Sequence, residues 1–415
     1  MNSIKTRILT MSCALVVAWP AYATNVSDVR TNYANIAHAM FEDTYAANMA
    51  MQMSVEVFLA NPNAQTLTAA RNSWKAARVQ YQQTEVFRFG NAVVDDWEGR
   101  LNSWPLDEGL IDYVDTSAYS RTADENPLYQ ANIVANTMVQ IGPKLVDASE
   151  ITPELIADEL HEALGVEANV ASGYHAIEFM LWGQDLNGTG PGAGDRPATD
   201  FSLDNCTNEN CARRRDYLRA VTTLAVNDLA EMTTAWAEGG DARVDYEGKS
   251  DTDAMTTILA GISGLSYGEL AGDRINMGLT LHDTEEEHDC FSDNTHNAHY
   301  FNQIGMMSVW NGRYERKTGD IVAGASVSGV AAFSAGSEKD ALDMAMSDVR
   351  ASMTIMRDTA EFGGMAYDQM LAEGNTKGGK ILSNVVLNLI AQAKAVEAVS
   401  SAMGLDVELE DSDAL

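Results

Sequence analysis

The sequence predicts an all-α protein made of two packed helical-bundle domains. Three observations lead there. Only eight prolines occur in 415 residues, while alanine, methionine and leucine are plentiful. Long stretches carry apolar residues at helical spacing, and few show strict alternation. One glycine- and proline-rich stretch, NGTGPGAGDRPATDFSLDN from Asn187 to Asn205, interrupts this pattern and marks a domain boundary. The expected division is a leader over 1–23, a first bundle over 24–195 and a second over 196–415.

Residues 1–23, MNSIKTRILTMSCALVVAWPAYA, read as a secretory leader. Lys5 and Arg7 precede an apolar run from Ile8 to Val17, and the small-residue pattern Ala21-Tyr22-Ala23 closes it. The run is shorter than the roughly 20 residues a membrane span needs. No later stretch reaches that length without charges, so an exported, periplasmic protein is expected rather than an integral membrane protein. Helices are expected over about 27–60, 64–89, 127–147, 152–183, 211–238, 251–274, 294–311, 338–363 and 376–403. The stretch from Arg313 to Ser337 reads as an ordered loop or a short extended hairpin.

The formal charge is −33, and it becomes two units more negative if Lys5 and Arg7 leave with the leader. Such a chain repels nucleic acid and anionic lipid, so neither is an expected partner. Three cysteines lie beyond the leader. Cys206 and Cys211 are close together in NCTNENCARR and are expected to pair in an oxidising compartment, which leaves Cys290 reduced or binding something. No Cys-x-x-Cys occurs, so a zinc ribbon is not indicated.

Three constellations carry titratable groups. In GYHAIEFMLWG, Gly173 to Gly183, His175 and Glu178 lie three residues apart and share a helix face. That pair suits one zinc or iron ion, or a hydrogen-bonded histidine at a helix contact. In WKAARVQYQQTEVFRFG, Trp74, Arg78, Tyr81, Glu85 and Arg88 form one stripe at steps of four and three. It reads either as an ion-pair ladder or as an acidic ligand, Glu85, steadied by Arg78 and Arg88 beside the aromatic wall of Trp74 and Tyr81. In LHDTEEEHDCFSDNTHNAHYFNQIG, four of the seven histidines lie among six acids and Cys290. Asp293 and His296 sit three apart there, and Glu285 to Glu287 read as solvated loop. GLSYG resembles a hydrolase elbow, but a helical run rather than a strand precedes Ser266, so Ser266 is not read as a nucleophile.

Together these segments resemble the imelysin family, which includes the iron-regulated protein A group. The family signature Gly-x-His-x-x-Glu is present as Gly173, His175 and Glu178, followed by FMLWGQDLN. The likeness continues through GPGAGDRPATDF, GLSYGELAGDR and CFSDNTH, and NSWPLDEGLID fits the family's first domain, so it spans nearly the whole chain beyond the leader. The resemblance implies two packed helical bundles with the signature near their interface. It implies metal binding by His175 and Glu178, with iron favoured and zinc the alternative. Glu85 joins them as an expected ligand, Asp293 and His296 are candidates from the second bundle, and Arg78, Arg88 and Arg274 would orient the carboxylates. The implied partners are a metal ion or chelate and an iron-uptake component of the envelope. Two other functions remain open at this stage. One is a zinc metallopeptidase using His175, Glu178 and His296 with Glu85 as general base; the other is a metal-free interaction module.

Overall fold

The structure, a computed structural model, describes residues 25–118, 122–124, 126–407, 409 and 415. The expected leader and its cleavage site lie outside the described residues. Helices dominate. The first group comprises α1 (Val26–Ala60), α2 (Ala64–Gln82), α3 (Ala92–Asn102), α4 (Glu108–Ile111), α5 (Pro153–Leu155), α6 (Gly173–Trp182), α7 (Cys211–Trp236) and α8 (Asp241–Gly248). The second comprises α9 (Asp251–Gly264), α10 (Met277–Leu281), α11 (Thr295–Asn311), α12 (Val327–Ser334), α13 (Gly336–Glu361), α14 (Tyr367–Leu371) and α15 (Thr376–Ala402). A π-helical stretch, Leu265–Asn276, continues α9 into α10.

Local chemistry sets the helix starts. Asn25 caps α1 by accepting from the Ser27 N–H, and Asn63 with Thr66 forms a reciprocal capping box on α2. Ser250 and Asn375 do the same work for α9 and α15. Helix α1 packs along α2 and α7; α13 and the π stretch pack against α15, and α11 packs on α13. Helix α7 follows the glycine-rich segment 187–205 yet packs on α1 and α6, so the change of packing partner falls after α8 rather than at residue 195. Helices α2 and α11 meet across the seam. Helix α15 is long and apolar enough to cross a membrane by composition alone, but it lies against α13, α14 and α9 in the second group.

Two expected helices are not formed as such. Residues 127–147 instead end in a hairpin, β1 (Met138–Ile141) paired antiparallel with β2 (Lys144–Asp147) across a turn at Gly142. Val139, Ile141 and Val146 bury one face of it. Arg213 of α7 ties this region down by donating to the carbonyls of Ile133, Val134 and Ala148 at 2.7–2.9 Å. The expected helix 152–183 breaks after Leu160, and a loop with left-handed residues Glu162 and Leu164 leads into α6. The stretch 313–337 is part hairpin, β3 (Arg313–Glu315) with β4 (Ile321–Ala323), and part helix, α12. Cys206 and Cys211 form a disulfide at the start of α7.

The entry to α6 depends on one glycine. Gly173 has φ +80°, and a Cβ there would stand 2.3 Å from the Leu101 carbonyl oxygen of α3. Backbone on both sides prevents relief. Gly173→Ala is expected to cost at least about 3 kcal/mol, from the left-handed conformation together with the clash; an unfolding free energy from urea denaturation within about 0.5 kcal/mol of wild type would refute this reading. A second test concerns charge. Burial of Asp228 on α7, only partly offset by Arg100 at 4.0 Å, pushes its carboxyl up to about 6. The unfolded value is about 3.9, so stability is lost as pH rises between those two values. Asp228→Asn should therefore be close to neutral at pH 4 and stabilising by about 1–3 kcal/mol at pH 7.5, as read from urea denaturation at both pH values.

Candidate metal centre

Helix α6 is buried along its whole length, and it carries His175 and Glu178 on the face turned towards the seam. His175 is 1% exposed and Glu178 is fully buried. His175 Nδ1 lies 3.2 Å from Glu178 Oε2, and His175 Nε2 lies 3.2 Å from Arg78 Nη2. A guanidinium can only donate, so Nε2 must present its lone pair to Arg78 and Nδ1–H must donate to Glu178. The other Glu178 oxygen accepts from the Ser292 backbone N–H at 2.9 Å. Glu178 thus fixes the tautomer and the ring angle of His175, as a carboxylate behind an imidazole does, and leaves the Nε2 lone pair facing the centre, where Arg78 now takes it.

Arg78, fully buried on α2, stands at the middle of the site. Its Nε donates to Asp289 Oδ1 at 2.9 Å, and its Nη1 donates to Asn102 Oδ1. Its Nη2 lies 3.2–3.3 Å from both ring nitrogens of His288 as well as facing His175. The Tyr174 and Tyr81 rings flank the guanidinium, and Trp74 closes the wall by donating to the Tyr174 carbonyl. One ligand atom each from His175, His288 and Asp289 lies within 4.8 Å of the others. Beyond His288 the ring of His299 stacks at 6.4 Å, with the Arg274 backbone as its weak hydrogen-bond partner. Burial, reinforced by the Arg78 and Arg274 cations, holds His175, His288 and His299 well below the ordinary histidine range. All three are therefore neutral imidazoles near pH 7, the form that ligates metals. Burial and the nearby Asp289 push Glu178 well above the usual carboxylate range.

Glu85 occupies a layer next to this centre rather than the centre itself. Helix α2 ends at Gln82, where Thr84 takes up the Tyr81 carbonyl, and Glu85 opens a 3-10 turn. Glu85 accepts from Asn102 at 2.6 Å, from Arg274 at 2.6 Å and from Asn302 at 3.1 Å. The turn fits only because α9 and α11 place glycines against it: a Cβ at Gly261 or Gly305 would stand 2.3 Å from the carbonyl oxygens of Val86 or Gln83. Arg274 comes from the π-helical stretch and also pairs with Glu269, which in turn binds Arg88 at 3.1 Å. The intrahelical ladder is not formed: Arg78, Glu85 and Arg88 all pair with other elements.

The structure therefore divides the residues singled out in the sequence. His175, Glu178 and Arg78 meet at one point. Glu85 and Arg274 sit one hydrogen bond further out, linked through Asn102. His296 turns away to Glu361, at 2.9 Å, and Asp293 lies with Asp185 and Asp368 in a separate group. Glu287, expected in solvated loop, is 1% exposed. The residues at this centre that sequence spacing missed are His288 and Asp289. They are consecutive residues in an irregular turn, and only the density of histidines and acids between His282 and His299 signalled them. Ser266 is buried within the π stretch and donates to the Ile262 carbonyl, as a packing hydroxyl does. Cys290 is a free cysteine, with its thiol kept protonated by burial and surrounding carboxylates.

A cleft of about 510 Å³ reaches the centre from solvent, ending on His288, Arg274 and Asn102. Six acidic side chains and three arginines line it, a balance that draws cations inward.

The imelysin family model matches residues 37–396. Iron-regulated protein A of Synechococcus elongatus is 36% identical over 61 residues, a match that covers 14% of this chain and 17% of that protein. Two crystal structures share the fold. One, named as an iron-regulated protein A precursor from Parabacteroides distasonis, superposes with a TM-score of 0.64 at 16% identity, covering 91% of this chain and 95% of that one. The other, an imelysin-like protein from Psychrobacter arcticum, gives 0.58 at 13% identity, covering 94% and 100%. With the family model spanning both helix groups and the centre between them, the chain belongs to the imelysin family.

Proposed function

We propose that this protein is exported and binds iron as cargo at His175, His288 and Asp289, with Glu178 orienting His175. The observation that carries the reading is the set of two neutral, buried imidazoles and one carboxylate whose ligand atoms lie within 4.8 Å of one another. Two histidines and a carboxylate suit ferrous iron, with zinc as the closest competitor. Transition-metal ligands stand about 2.0–2.3 Å from the ion, and three atoms within 4.8 Å of one another can converge on one such ion. The iron-regulated protein A names of the relatives agree with this cargo, and an iron-uptake component of the envelope is the corresponding partner.

Arg78 decides how the site works. Its guanidinium already supplies positive charge where a metal would bond, so binding exchanges one cation for another. An ion entering along the acidic cleft would take the His175 Nε2 lone pair from Arg78, whose guanidinium already rests on Asn102 and the tyrosine rings. Peptide cleavage suits this geometry less well, because His175, Glu178, His288 and Asp289 are at most 1% exposed. Glu85, the base that cleavage would need, is already bonded to Asn102, Arg274 and Asn302.

The tests follow from the division of roles. His175→Ala and His288→Ala should each abolish the one bound equivalent of ferrous iron, measured by anaerobic titration and by metal content after purification. Unchanged stoichiometry and affinity in both would remove the assignment. Glu178→Gln should keep the stoichiometry but weaken binding about 10–100-fold, as loss of an orienting partner does. Arg78→Met, which keeps bulk and removes the competing charge, should tighten iron binding at least about tenfold, each tenfold being about 1.4 kcal/mol. Weaker binding in that variant would show that Arg78 supports the metal rather than competing with it.

A further inference from the structure

The structure assigns a second cation site, for calcium, to the carboxylates of Asp185, Asp293, Asp368 and Glu287. It is separate from the histidine centre and does not depend on the iron-binding reading. Asp185 follows the end of α6, Glu287 and Asp293 flank the turn before α11, and Asp368 lies in the first turn of α14. One oxygen each from Asp185, Asp293 and Asp368 lies within 4.8 Å of the others. Glu287 approaches the same point through Asp368, which it contacts directly.

Acidic clusters are common on surfaces, but this one is not a solvated cluster. Asp368 and Glu287 are each 1% exposed, and beyond the Thr295 side chain near Glu287 and the Asp368 backbone N–H no donor turns to their carboxylates, which face each other instead; Asp293 Oδ1 is also buried without a hydrogen bond. No arginine or lysine among the described residues forms an ion pair with any of the four. The nearest cation, Lys75, donates to the Ser292 carbonyl at 2.9 Å. Buried carboxylates left without donors or counter-charge are strongly disfavoured. Asn187 satisfies only one oxygen of Asp185, at 2.8 Å. A bound cation answers all of these at once.

The donor set selects the ion. Four carboxylates and no nitrogen or sulfur call for a hard cation. Oxygens on opposite sides of a magnesium ion are at most about 4.2 Å apart, whereas around calcium they reach about 4.6–5.2 Å. The three oxygens lie within 4.8 Å of one another, inside the span that a calcium ion bridges, and an all-carboxylate cage suits calcium better than magnesium, which keeps several of its waters. Access is open through a neighbouring cavity of about 320 Å³ that reaches Asp185, is lined by Asp283 and Glu285 among others, and includes no basic side chain.

The site would brace the turn between Glu287 and Asp293, which also presents His288 and Asp289 to the histidine centre. The test uses the whole protein stripped with chelator and passed into metal-free buffer. Calorimetric titration with calcium chloride should show one site per chain, and 1 mM calcium should raise the melting temperature by several degrees, with magnesium much less effective. Asp368→Asn and Asp293→Asn should each weaken calcium binding at least tenfold. No calcium binding by wild type up to 10 mM would overturn the proposal, as would equal affinity in wild type and Asp368→Asn. An equal response to magnesium would overturn the choice of calcium. If the carboxyls instead merely share protons, Asp368→Asn would raise the melting temperature in chelator at pH 8 and calcium would have no effect on wild type, which also overturns it.

Discussion

The seam between the two helix groups is organised by one buried guanidinium. Arg78 reaches from α2 to α3 through Asn102, to α6 through His175, and to the turn before α11 through His288 and Asp289. Taking such a charge out of water costs several kcal/mol and is tolerated only when every donor is used. That requirement dictates the surroundings. Asp289 supplies the counter-charge, His175 must turn an acceptor towards Arg78, His288 lies with both ring nitrogens 3.2–3.3 Å from it, and the tyrosine rings cover the faces that cannot hydrogen-bond. Each partner comes from a different element, so satisfying Arg78 is equivalent to assembling the site.

The next layer extends the same alternation of charge. Asn102 hands the polarity of Arg78 on to Glu85 and Glu98; Glu85 meets Arg274, Arg274 meets Glu269, and Glu269 meets Arg88. Opposite charges held at contact in a poorly screened interior hold one another in place. Burial pushes Arg274 and Glu269 away from their charged forms, but their partners win, and both are held ionised. The irregular elements exist to make these contacts. A 3-10 turn is needed to bring Glu85 round from the α2 stripe, and the π-helical stretch is needed to aim Glu269 and Arg274 back at it, a use to which π segments are often put.

Much of this was legible in the residues, and the rest was not for identifiable reasons. The long helices announced themselves by period, and the WKAARVQYQQTEVF stripe showed that aromatic and charged groups share a face. The hairpin at 138–147 was hidden because each strand offers only four residues of alternation, too few to outweigh helical spacing around them. His288 and Asp289 were hidden for a deeper reason. Spacing arguments find pairs on one helix face, such as Asp293 with His296, whereas these two residues sit side by side in a turn and meet His175 only through tertiary folding. Glu287 looked solvated beside two other glutamates, yet the turn that exposes its neighbours folds it inward. Charge runs report composition, and burial is decided by the turn.

The signature itself takes on a different meaning. At i and i+3, His175 and Glu178 invite reading as two ligands on one face. The donor rule at Arg78 separates them instead: His175 offers Nε2 to the centre, and Glu178 holds Nδ1–H from behind. The glycine of the signature is neither ligand nor flexible joint. It is the one residue whose backbone can lie against the Leu101 carbonyl with φ +80°, and so it sets the depth at which α6 enters the seam. A Cβ at that position would lift the helix, and with it the histidine, away from α3. Gly-x-His-x-x-Glu thus encodes three separate requirements of one site: how close the helix comes, which atom it presents, and which tautomer that atom belongs to.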